Sequence, residues 1–126
     1  ISENAPTEQK IFSINKRLEL TKASVKDFDN IKVLSFNGLL VEFCSKLNCE
    51  VIIRGLRALS DYEYEFKMAL MNRSLNPDIV TLFMMPHERY THISSSLIRE
   101  VSLLGGDISK YVPTFVSEAL RETFEK

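Results

Sequence analysis

Cysteine is scarce in this 126-residue chain, and only Cys44 and Cys49 are present. Two thiols cannot make a disulfide framework, so a reducing, cytoplasmic setting with both thiols free is expected. No apolar run reaches membrane length and no signal-peptide pattern is present, so no membrane partner is expected. Net charge is −1, which supplies no general basic field for nucleic acid, so any anion site must be local. Familiar reaction motifs are missing too: there is no Gly-x-Ser-x-Gly, no Gly-Lys-Thr phosphate loop and no Gly-x-Gly-x-x-Gly. His87 and His92 flank Glu88 and Arg89, but no third and fourth ligand stands at metal spacing, and no metal site built from protein side chains is expected. The first residue is Ile1, not Met, from which we expect a processed product or a fragment.

What remains is globular. Hydrophobic residues make up 44% and charged residues 26%, in a length suited to one domain. Residues 1–10 are polar, include Pro6, and read as a loop. Ser13 is placed to cap a helix carrying Ile14, Leu18 and Ala23, and Asp27 to Asn30 form a turn. A strand is expected from Ile31 to Phe36, then a helix capped by Asn37 and running through Leu39, Leu40, Phe43 and Leu47 to Asn48. Glu50 to Arg54 reads as a strand and Asp61 to Arg73 as a helix, with Tyr64, Met68 and Met71 on one stripe. After the turn Asn76-Pro77-Asp78, Ile79 to Met85 is a continuous apolar strand, and Pro86 to Thr91 a loop. Ser94-Ser95-Ser96 opens a helix ending at Gly105-Gly106, and Pro113 opens the last helix, to about Phe124. Strands that are apolar without alternation, alternating with helices, argue an α/β, doubly wound parallel sheet covered on both faces.

In such a sheet, ligands bind beyond the carboxyl ends of the strands. Val51-Ile52-Ile53 runs into Arg54-Gly55-Leu56-Arg57, just before a helix start. Two guanidinium forks, a glycine that admits close backbone approach, and the first N–H groups of a helix suit a phosphate. Equally, Arg54 and Arg57 suit a surface ion-pair cluster with Asp61, Glu63 or Glu65. Ser94, Ser95 and Ser96 offer a second phosphate cradle, or serve simply as helix caps. Cys44 and Cys49 read as inert thiols, Phe83-Met84-Met85 as core, and Tyr64 and Tyr90 either as base-stacking or as packing aromatics.

Longer blocks of sequence are more specific. Ile53-Arg54-Gly55-Leu56-Arg57-Ala58 followed by Asp61-Tyr62-Glu63-Tyr64-Glu65 resembles the bacterial phosphopantetheine adenylyltransferase family. So do Met71-Asn72-Arg73, the block from Tyr90 through Ser96 to Val101, Gly106-Asp107 and Val112-Pro113. The resemblance implies a Rossmann-like nucleotidyltransferase fold, in a single domain over residues 1–126. It implies transfer of the adenylyl group of ATP to 4′-phosphopantetheine with magnesium, giving dephospho-coenzyme A and pyrophosphate. It further implies a cytoplasmic homo-hexamer with coenzyme A as a possible inhibitor.

Residue by residue, the resemblance assigns Arg54 to the phosphate of phosphopantetheine and Leu40 to its pantetheine arm. Gly55, Leu56, Arg57 and Glu65 would contact ATP, as would Tyr90, Thr91, His92, Ile93, Ser94, Ser95 and Ser96. Three departures stand out. The family's first strand and helix, with Thr-Phe-Asp-Pro and a His-x-Gly-His-type signature, have no counterpart in this sequence, so its catalytic histidine cannot be named here. The family's substrate-binding lysine falls in the Pro6-Thr7-Glu8-Gln9-Lys10 segment, where Lys10 is the nearest candidate. His92 replaces the usual apolar residue before Ile93-Ser94. A non-catalytic nucleotide- or coenzyme A-binding module, or a nucleotidyltransferase for another phosphorylated acceptor, are the alternatives.

Overall fold

In the computed structural model, residues 1–3 and 10–124 are described, except for the side chains at 59 and 60. Pro6, Thr7, Glu8 and Gln9, expected in a loop, lie outside the described residues. The elements in chain order are α1 (Ile14–Ser24), α2 (Leu40–Lys46), β1 (Val51–Gly55), α3 (Leu59–Leu75), β2 (Val80–Met84), a 3-10 turn (Glu88–Tyr90), α4 (Ser95–Leu103) and α5 (Thr114–Phe124). They fall into two units, one made of residues 38–92 and the other of residues 1–37 with 93–126.

The 38–92 unit is built on a parallel pair. β1 runs beside β2 with Val51 opposite Val80, Ile53 opposite Leu82 and Gly55 opposite Met84. A parallel pair needs a crossover, and α3 supplies it. Successive side chains on a strand alternate faces. Ile52 is buried with Val41, Cys44 and Ile79, so α2 covers its face. Val51, Ile53, Val80, Leu82 and Met84 lie exposed on the other, although their apolar run suggests cover on both sides. α3 is likewise turned: the stripe Tyr64, Met68 and Met71 is exposed, while its less exposed side carries Asp61, Glu65, Ala69 and Asn72.

Asn37 does not cap α2. Gly38, at φ +90, turns the chain between it and the helix, and Leu39 becomes the cap residue without a side-chain bond. The other end is closed by backbone alone. Asn48, at φ 52, lets its N–H reach the Ser45 carbonyl (3.1 Å) and the Cys49 N–H reach that of Cys44 (2.9 Å).

In the other unit, Ser13 caps α1 as expected, accepting from the Lys16 N–H. The strand expected over Ile31 to Phe36 shrinks to one parallel bridge, Ser2 to Phe36, because among the described residues only 1–3 lie beside it. Ile98, Ile108 and Leu120 form the core, against which Ile11, Phe12, Val101 and Val116 pack. Gly105, at φ +77, ends α4, and a Cβ on Gly106 would come within 2.5 Å of Val101 Cγ1. Among the described residues, no helix is long and apolar enough to cross a membrane.

Candidate functional site

Arg54 lies on the same strand face as Ile52, at the carboxyl end of β1, and there it meets α3. Its Nε donates to Glu65 Oε2 at 2.8 Å and its Nη2 to Glu65 Oε1 at 2.5 Å. This is a bidentate fork, the strongest geometry for an arginine and a carboxylate. Glu65 is largely withdrawn, its side chain 12% exposed, whereas Arg54 keeps 48%. The carboxylate beside it pushes the Arg54 guanidinium further up from its already high value. One turn nearer the helix start, Arg57 Nε donates to Asp61 Oδ2 at 3.2 Å. Glu63 joins Lys67 instead. The ion pairs expected as an alternative to an anion site are therefore present, and they hold both arginines at the strand exit.

The backbone between the arginines is held as well. Leu56 N–H donates to the Met84 carbonyl at 3.0 Å, tying the exit to the end of β2. A Cβ on Gly55 would meet no atom within 4 Å among the described residues. Ala58 precedes α3 in extended conformation with no side-chain cap. Of the first amides of α3, that of Asp61 donates to the Ala58 carbonyl at 3.1 Å, and the Asp61 carboxylate stands in the same first turn, at the helix's positive end.

Further along the same unit, Glu88–Tyr90 forms a 3-10 turn in which His87 accepts from the Arg89 N–H. The Arg89 guanidinium lies 4.6 Å from the centre of the Tyr90 ring. Thr91 Oγ1 donates to the Glu88 carbonyl at 2.7 Å, and His92 is the last residue of the unit. Leu40 is half-buried against the Val41–Ile52 core. Burial pushes the Cys44 thiol up, as expected of an inert thiol.

In the other unit, Ile93, Ser94, Ser95 and Lys10 line one cavity of about 460 Å³, together with Arg17 and Arg99. Ser94 Oγ accepts from the Leu97 N–H at 3.1 Å, so this serine does cap α4. Ser96 Oγ accepts from Arg99 Nη2 at 3.2 Å. Lys10 Nζ donates to the Glu3 carbonyl at 2.6 Å. Arg17 and Arg99 are cations that the sequence reading passed over. Arg99 sits one turn inside the serine-led helix, which was a usable signal, whereas nothing in the sequence ties Arg17 to it.

Residues 1–101 match the cytidylyltransferase-like family. The chain is 48% identical to a protein named phosphopantetheine adenylyltransferase from Caldanaerobacter subterraneus, over 96% of this chain and 76% of that one. The proteins of the same name from Vesicomyosocius okutanii (50% identical, 96% of this chain, 76% of the relative) and Methylacidiphilum infernorum (49%, 100% and 73%) agree. The chain belongs to the phosphopantetheine adenylyltransferase family.

That membership agrees with the parallel β1–α3–β2 unit. Within that unit α3 turns carboxylates inward. A helix serving only a core would bury its apolar side, whereas here Tyr64, Met68 and Met71 are exposed and Glu65 is not.

Proposed function

We propose that this protein transfers the adenylyl group of ATP to 4′-phosphopantetheine, forming dephospho-coenzyme A and pyrophosphate in coenzyme A biosynthesis. The observation that carries this most directly is the β1 exit, where two oriented arginines flank Gly55 and lead into an uncapped helix. A phosphate oxygen of the acceptor bonds to the α-phosphorus of ATP. The bond from that phosphorus to the bridging oxygen breaks, and pyrophosphate leaves with the electron pair. Such chemistry asks the protein for placement and charge stabilisation, not for a side-chain nucleophile.

Arg54 takes the acceptor phosphate through the guanidinium edge that Glu65 leaves open. Arg57 and the first amides of α3 take ATP phosphate oxygens, and Gly55 and Leu56 line their approach. In the other unit, Ser94, Ser95 and Ser96 offer hydroxyls and helix-start amides to phosphate oxygens, and Lys10 supplies charge to the same cavity. Tyr90, Thr91, His92 and Ile93 contact the nucleotide, and Leu40 the pantetheine arm. Among the described residues no three acidic, histidine or cysteine side chains gather to hold an ion. We take magnesium to be the counter-ion brought by the triphosphate. The proposal extends, on family resemblance alone, to a cytoplasmic hexamer inhibited by coenzyme A.

Incubation with ATP, phosphopantetheine and magnesium should release pyrophosphate in step with dephospho-coenzyme A. ATP binding without pyrophosphate would instead indicate a binding module, and faster reaction of another phosphorylated acceptor would change the substrate.

A further inference from the structure

The turn from α2 into β1 brings the chain's two cysteines together. We propose that Cys44 and Cys49 form an oxidation-sensitive dithiol, which closes to a disulfide across this turn when a small-molecule disulfide such as oxidised glutathione reaches Cys49. The inference goes beyond the adenylyl transfer proposed above and does not depend on it.

Asn48, at φ 52, folds the chain back after α2, so that the Cys49 N–H donates to the Cys44 carbonyl at 2.9 Å. The bond lengths on either side of that contact keep the two Cα atoms within about 7 Å, the limit beyond which a disulfide cannot form without backbone movement. Both side chains also meet the same core. Cys44 is buried with Val41, Ile52 and Ile79, and Cys49 packs against that cluster. Burial first, and then the Cys49 thiol beside it, push the Cys44 thiol up. The backbone of the turn is already held, so closure asks for side-chain rotation and leaves the turn in place.

The two thiols differ in access, and this assigns their roles. Cys44 is only 6% exposed and does not meet a reagent from solvent. Cys49 is half-buried, with its Sγ donating to the Val51 carbonyl at 3.2 Å. Cys49 therefore reacts first. Having lost its proton to solvent, its thiolate attacks one sulfur of oxidised glutathione, and the sulfur–sulfur bond of the reagent breaks. One glutathione thiolate leaves and takes up a proton, while the other glutathione stays on Cys49. Cys44 then loses its proton, attacks the Cys49 sulfur and displaces the second glutathione thiolate, which is protonated in turn. Both protein thiols are oxidised to one disulfide, and one glutathione disulfide is reduced to its two thiols. A thiol too buried to meet the reagent thus still resolves a partner already beside it. In a reducing setting the pair stays open.

Reduced wild-type protein, treated with oxidised glutathione, quenched in acid and alkylated with iodoacetamide, tests this by mass. Neither cysteine should take the alkyl group, no glutathione should remain, and the mass should fall by two hydrogens. One peptide should link Cys44 to Cys49 within a single chain. Cys44→Ser should stop at the mixed disulfide, with glutathione retained on Cys49. Cys49→Ser should react at least about tenfold more slowly than Cys44→Ser, because its remaining thiol is buried. The oxidised protein should melt slightly above the reduced one, since the bridge closes a short loop and restricts the unfolded chain.

Glutathione left on wild-type Cys49 beside a free Cys44 would overturn the proposal, as would a disulfide between two chains or full alkylation of both cysteines. Equal rates in the two serine variants would overturn the order of attack on which it rests. An oxidised form that melts below the reduced one would mean that the turn must distort to close, and the proposal fails. Should a serine variant not fold, the wild-type mass, peptide map and melting temperature still decide.

Discussion

Helices α3 and α4 both start in the proposed phosphate-binding segments, and they are held in opposite ways. α4 is complete within its own unit: Ser94 caps it, and Ile98, one turn in, is buried with Ile108 and Leu120. α3 has no side-chain cap, exposes its large apolar residues, and turns Asp61 and Glu65 toward two arginines. An end sealed by its own serine and core is a stable support. Under the proposed function, an end left open beside oriented cations is finished by a ligand. On that reading the serine motif combines capping with ligand binding, while the arginine motif serves the ligand, although its ion pairs resemble an ordinary surface cluster.

The largest effect should separate the two helices by stability. Ile98→Ala removes a buried side chain from the α4 core and should cost about 2–5 kcal/mol of folding free energy. Truncating Met71, exposed on α3, should cost well under about 1 kcal/mol. Thermal or urea unfolding of both variants checks this, and equal losses would mean that the exposed stripe of α3 is covered in solution.

Next comes catalysis. Arg57→Lys keeps the charge but loses the Nε–H that Asp61 accepts and the fork that meets phosphate. Catalytic efficiency toward ATP should fall by about 1.5–3 kcal/mol, on the order of tenfold to a hundredfold. The melting temperature should move little, since a half-exposed ion pair contributes roughly 0.2–1 kcal/mol. Unchanged ATP kinetics would remove Arg57 from the site.

A third pair of substitutions exchanges the two helix starts. Ser94→Ala removes the acceptor for the Leu97 N–H and should cost about 0.5–2 kcal/mol. Ala58→Asp supplies the missing cap on α3, where the extended backbone suits one, and should stabilise by a similar amount. The added carboxylate would also occupy the helix start and repel ATP, so the melting temperature should rise while the KM for ATP rises too. A rise in stability with undisturbed ATP kinetics would show that α3 is merely uncapped, not open to a ligand.

Much of this contrast was legible in the sequence, for local reasons. Ser13, Asn48, Gly105 and the Asn76 turn act through backbone groups within a few residues, and each ended or began an element close to where its chemistry dictates. What failed was non-local. Ile31 to Phe36 has the composition of a strand but needs a neighbour along its length, and among the described residues only Phe36 bridges, to Ser2. Asn37 has the right side chain for a cap but stands one positive-φ glycine too early. At the site, the two arginines and the serines could be named from type and spacing. The choice of Glu65 for Arg54 and Asp61 for Arg57 could not, because it depends on which side of α3 faces the strand exit.

The smallest effect concerns the loop that closes α4. Asp107 follows Gly106, and its Oδ1 accepts from the Ser109 N–H at 2.9 Å, just before buried Ile108 leads the chain into the core. That backbone hydrogen bond, with the Ser109 hydroxyl and then Lys110 adding to it, holds the Asp107 carboxyl below the usual carboxylate range. A lowered folded value means that the fold favours the ionised form. The contribution is therefore fully present above the unfolded carboxylate value, and it is lost as pH falls through the depressed folded one. Asp107→Asn keeps an oxygen acceptor for the Ser109 N–H but cannot titrate. It should melt slightly below wild type at neutral pH and converge with it in acid. Because Asp107 lies outside both the β1 exit and the cavity lined by Ser94 and Ser95, ATP and phosphopantetheine kinetics at neutral pH should be unchanged within about twofold. Melting temperatures across the acid range check the sign, and a gap that widens as pH falls would show that Asp107 is stabilised in its protonated form.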